Sequence, residues 1–83
     1  MIEPTVHAAQ VVAQSEAAAR RFNPDARIRL SRDGSGVRFE LTDAAAPGDE
    51  MVVCGDVELL VEPGLDGVLD TGEHNLPFLI PRA

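Results

Sequence analysis

Arg27-Ile28-Arg29-Leu30-Ser31-Arg32-Asp33-Gly34-Ser35-Gly36-Val37-Arg38-Phe39-Glu40-Leu41-Thr42 is the stretch that decides the fold. Two alternating runs flank a short Gly-rich break, and period-two alternation is the mark of strands with one buried face. A two-residue turn at Gly34-Ser35 puts glycine at the first central position, as a type II′ hairpin requires. That register sets Leu30 opposite Phe39 and Ile28 opposite Leu41 on an apolar face, with Arg29 opposite Glu40 on the polar face. A slip of one residue breaks all three pairs.

On the N-terminal side, a helix is expected from about Pro4 to Phe22. Proline suits a first helical turn, where its missing N–H is not needed. Ala8, Val11, Val12, Ala18, Ala19 and Phe22 recur at helical spacing, with Gln10, Gln14, Glu16 and Arg20 largely on other faces. Arg20 and Arg21 favour the negative end of the helix dipole, and Asn23-Pro24 stops the helix. On the C-terminal side, Asp43 to Glu50 reads as a loop around Pro47-Gly48. Met51–Cys54 and Val57–Glu62 form a second hairpin about Gly55-Asp56. Pro63-Gly64 opens a short helical turn in which Leu65, Val68 and Leu69 share a face and which Gly72 ends. Leu76–Ile80 adds a final strand that Pro77 pushes to an edge.

Eighty-three residues make one domain, residues 1–83, of the α+β class. A chain of this size buries only about 60–65% of its unfolded surface, so its core is thin. Fourteen acidic residues face seven arginines, with no lysine, for a net charge of −7. Such a surface repels phosphate backbones. Arg20, Arg21, Arg27, Arg29, Arg32 and Arg38 do cluster in one third of the chain, but Asp25, Asp33 and Glu40 interleave them. Only three aromatics are available for stacking: Phe22, Phe39 and Phe78. Nucleic acid is therefore not an expected partner. The single cysteine rules out an internal disulfide and fits a reducing compartment. Met1 to Thr5 shows no signal-peptide pattern and no apolar run approaches a membrane span, so neither export nor membrane insertion is expected and the cytoplasm is the expected location.

The order helix, hairpin, Pro/Gly loop, hairpin, short helix, last strand resembles the HesB-like (A-type) iron–sulfur carrier domain. Ile28–Thr42 looks like that family's first hairpin, including the Ser-Gly after the turn. Pro47-Gly48-Asp49-Glu50 running into Met51-Val52-Val53 looks like its acidic loop and second hairpin, and Val57–Glu62 and Val68-Leu69-Asp70 like its later strand and short helix. The family's chemistry depends on a cysteine in the first hairpin turn and a Cys-x-Cys near the C-terminus. This sequence has about Gly34 at the first position and ends Leu76-Pro77-Phe78-Leu79-Ile80-Pro81-Arg82-Ala83 without cysteine. No ligand residue carries over from the family, and no cofactor is expected.

Other motifs add little chemistry. His7, Cys54 and His74, with Glu73, are the candidate metal ligands, yet 47 and 20 positions separate them and no short-spaced pair occurs. Asp70-Thr71-Gly72 matches the triplet of retroviral-type aspartic proteases, which need a second aspartate and more sheet beyond it. Gly34-Ser35-Gly36 feeds a strand, not the helix N-terminus a phosphate loop requires. Ser15, Ser31 and Ser35 have no histidine partner by pattern. The expectation is a non-catalytic accessory or interaction module that binds a protein partner through Asp43, Asp49 and Glu50. The alternative is a metal or iron–sulfur handling protein that uses Cys54 across an oligomer. A small enzyme is a remote third reading.

Overall fold

A computed structural model describes residues 1–82, which form one α-helix, a single 3-10 turn at Glu73–Asn75 and seven strands in two mixed sheets. The α+β class read from the sequence is the class observed.

The first hairpin forms as the alternation dictates. Strand β2 spans Arg27–Asp33 and β3 spans Gly36–Thr42. They pair with Leu30 opposite Phe39, Ile28 opposite Leu41 and Arg29 opposite Glu40. Gly34 takes φ +59 at the first turn position, in the left-handed region that a Cβ disfavours. The second hairpin, β4 (Glu50–Cys54) and β5 (Val57–Val61), also forms, with Cys54 opposite Val57. Parallel pairing of β2 with β5 joins the hairpins into a sheet ordered β3-β2-β5-β4.

Two expectations fail in ways that explain each other. Residues 67–71 form a strand, not a short helix: β6 runs Gly67–Thr71 with Gly67, Leu69 and Thr71 buried. Leu65, Val68 and Leu69 fit a helical face, but Gly67, Leu69 and Thr71 also fit a period of two, and a five-residue run supports either. Partners on both sides decide it. Strand β7 (Pro77–Ile80) pairs antiparallel on one edge of β6, and β1 (Ile2–Pro4) pairs parallel on the other.

Because β1 exists, Pro4 ends a strand rather than starting the helix. The helix, α1, spans Val6–Arg20, with Thr5 as N-cap and Arg21 as C-cap. Thr5 Oγ1 accepts the Ala8 N–H at 3.1 Å and donates to Asp70 Oδ1 at 2.9 Å. One hydroxyl thus caps the helix and ties it to β6. Strand β7, read as the edge strand, lies at the edge of the sheet β1-β6-β7.

The core lies between α1 and the sheets. Ala8 and Val12 of the helix meet Ile28, Leu30, Leu59, Val61 and Leu69. No helix among the described residues is long and apolar enough to cross a membrane.

Candidate functional site

Helix α1 buries the first half of the expected face but not the second. Ala8, Val11 and Val12 are inside, but Ala18 is exposed and Phe22 is 92% exposed. Glu16 takes the inner position instead, with only 4% of its side chain accessible. The spacing explains this. Ala8, Val12 and Glu16 are successive i, i+4 positions, so the row that enters the core continues through the glutamate.

The Glu16 carboxylate accepts no hydrogen bond among the described residues. Its nearest cation is Arg20, whose Nη2 stands 3.7 Å away, beyond hydrogen-bond reach. Arg20 is half exposed, and its Nε is already committed to the Ala26 carbonyl at 3.1 Å. Neither carboxylate oxygen is sealed from solvent, since the buried side-chain atom left without a partner among the described residues is Ser31 Oγ, so the carboxylate faces the solvent of the cleft.

Glu16 lines an open cleft of about 810 Å³ between the end of the helix and the second hairpin. Asp25, Asp43, Asp56 and Glu58 also line it, against only two guanidiniums, Arg20 and Arg27. The field in the cleft is negative, so it favours a cation. Beside it lies a smaller groove of about 490 Å³ lined by Ala19, Phe22, Ala26 and Leu41. Asp43 borders both.

Comparison with family models, curated proteins and solved structures finds no match for this chain.

The three acidic residues expected to meet a partner are separated by the fold. Asp43 borders the cleft, and Glu50 is exposed at the start of β4. Asp49 turns inward, with 0% of its side chain accessible. Arg29 grips its carboxylate through Nε at 2.8 Å and Nη2 at 2.9 Å, and the Ala46 N–H donates to it at 2.9 Å. These hydrogen bonds, the arginine's foremost, hold the Asp49 carboxyl below its usual range and raise the Arg29 pKa. Asp49 is therefore the anchor of the 43–50 loop and has no charge to offer a partner. The loop is pinned at this point rather than free.

Arginines of the cluster also face other carboxylates: Arg29 and Arg38 share Glu40, Arg32 stands 3.6 Å from Glu62, and Arg20 is held only loosely, at 3.7 Å from Glu16.

The candidate metal ligands are not brought together. His7 Nδ1 lies 2.6 Å from Thr71 Oγ1. Cys54 is fully buried, and burial pushes its thiol up to about 11. His74 is exposed in the β6–β7 turn, where it and Asn75 take φ values of +57 and +59. Among the described residues, no three His, Cys, Asp or Glu side chains gather to hold a metal ion. Asp70 of the Asp-Thr-Gly triplet accepts from the Thr71 N–H at 2.8 Å and from the Thr5 hydroxyl at 2.9 Å, which lower its pKa. It is the anchor of the helix cap.

Proposed function

We propose that this domain is a non-catalytic interaction module that receives a cationic side chain, arginine or lysine, of a protein partner in the acidic cleft over Glu16. Glu16, whose side chain is only 4% accessible and whose carboxylate opens on the cleft with no hydrogen-bond donor and an arginine only at 3.7 Å, carries the proposal. An incoming guanidinium supplies donors that the protein does not, as a charge-assisted pair in a cleft of negative field. Asp43 and Asp25, exposed in the lining of the cleft, add attraction that speeds encounter and weakens as salt rises.

On this reading the fold is a scaffold that carries no cluster, and the short helix expected from the HesB-like resemblance is strand β6. Gly34 stands near the place of the first family cysteine, and Cys54 lies in the core, where it offers no thiolate to a neighbouring copy.

Calorimetric titration with N-acetyl-argininamide tests the proposal, with N-acetyl-citrullinamide as the neutral isostere. The arginine compound should bind saturably and the citrulline compound should not. Glu16→Gln should weaken binding by about tenfold or more, the size expected of a charge-assisted hydrogen bond. Equal heats from both compounds, or unchanged affinity in a folded Glu16→Gln protein, would discard it.

A further inference from the structure

The apolar groove beside the cleft extends this reading from one side chain to a pattern. Phe22, one of only three aromatics in the chain, is 92% exposed, and Leu41, which lines the same groove, is 67% exposed. Ala26 is buried beneath them. Two large apolar side chains held in the open next to an acidic cleft have the composition of an interface centre, an apolar anchor next to a charge. The groove and the cleft meet at Asp43.

Resting on the proposed cation site, we infer that the occupant is a short segment of a basic protein partner that carries a large apolar side chain close to its arginine or lysine. The apolar side chain seats against Phe22 and Leu41 while the cation reaches Glu16. Charge decides among possible occupants. A second copy of this chain brings its own net charge of −7 to an acidic cleft, and an anionic membrane surface or a nucleic acid meets the same repulsion. A basic protein segment is attracted.

Three probe peptides test this, each an acetylated phenylalanine and an arginine amide separated by no, one or two glycines. Binding is followed by amide chemical shifts in the intact domain. At least one peptide should bind about tenfold tighter than N-acetyl-argininamide, as burial of an aromatic side chain implies. It should shift Ala19, Phe22 and Leu41 together with Glu16. Phe22→Ser should erase that gain and leave N-acetyl-argininamide binding unchanged.

If no peptide binds tighter and the shifts stay near Glu16, the inference falls while the cation site stands. A gain that survives in Phe22→Ser also overturns it, because the groove is then not the seat. If neither the peptides nor N-acetyl-argininamide shift any resonance, the cation site and the inference fall together. Sedimentation showing a wild-type dimer that Phe22→Ser converts to monomer would assign the groove to a second copy instead.

Discussion

Arg29 and Asp49 are joined by two parallel hydrogen bonds of 2.8 and 2.9 Å, and together they pin the connection between the hairpins to the polar face of the larger sheet. The pair is withdrawn from water: 14% of the arginine side chain and none of the aspartate side chain is accessible. A fork of this kind is strong while both partners are present. It is costly to break from one side, because the remaining charge is stranded. Asp49→Ala should therefore destabilise the domain by about 3–5 kcal/mol in urea unfolding. A loss below about 1 kcal/mol, the size of an exposed pair, would show that other contacts hold the loop.

The same pair sets an acid limit. Asp49 has a folded pKa below its unfolded value, so its contribution is fully present above about pH 4 and disappears as pH falls through the folded value. Asp70, lowered by the Thr71 N–H and the Thr5 hydroxyl, acts in the same direction. Between pH 7 and pH 2 the wild-type protein should lose more stability than Asp49→Asn, whose side chain does not titrate. Parallel pH profiles for the two proteins would contradict this assignment.

Gly34 and Gly67 separate two kinds of glycine requirement. At Gly34 an added Cβ meets open space, and only the φ of +59 resists it. Gly34→Val should cost more than about 1 kcal/mol, the scale of a non-glycine residue held in that region. At Gly67 the φ is +127 and a Cβ would stand 2.7 Å from the Ile80 carbonyl oxygen, so strain and collision add. Gly67→Ala should lower the melting temperature more than Gly34→Ala does, and the reverse order would mean that β7 yields easily.

Cys54 reports on the core. With its thiol raised to about 11 and fully buried, it should react with a disulfide reagent at pH 8 only as fast as the domain opens. Rapid labelling of the native protein, unaffected by stabilising conditions, would place the thiol at the surface and restore a role for it in metal handling.

The sequence carried the hairpins well because alternation and turn chemistry agree there. Leu30 opposite Phe39 and Cys54 opposite Val57 could be read directly, since one residue of slip exposes a whole face. What it hid depends on contacts between distant segments. Ile2–Pro4 is too short to declare itself a strand, and it becomes one only by pairing with residues 67–69. Asp49 looks like an ordinary loop acid until Arg29, twenty residues earlier, is placed beneath it.

Glu16 carries its signal in its spacing alone. It continues the Ala8–Val12 row at a spacing of four, but a charged residue is counted by default on the solvent face of a helix. Phe22 shows the converse, since aromatic character suggested burial for a residue that lies just past the helix end and open to solvent.

Stability and binding should part company at Glu16. A carboxylate kept for structure has hydrogen bonds to lose; this one has none, and its pairing with half-exposed Arg20 is worth little. Glu16→Gln should melt at the wild-type temperature or above it.

The most direct measurement is the carbon-13 shift of the Glu16 side-chain carboxyl during titration with N-acetyl-argininamide and, separately, with N-acetyl-citrullinamide. A carboxylate that receives the guanidinium should shift saturably with the arginine compound, remain still with the neutral one, and lose its response as salt is raised. A Glu16 resonance that does not move while the arginine compound shifts other acidic side chains would contradict a binding role for this carboxylate.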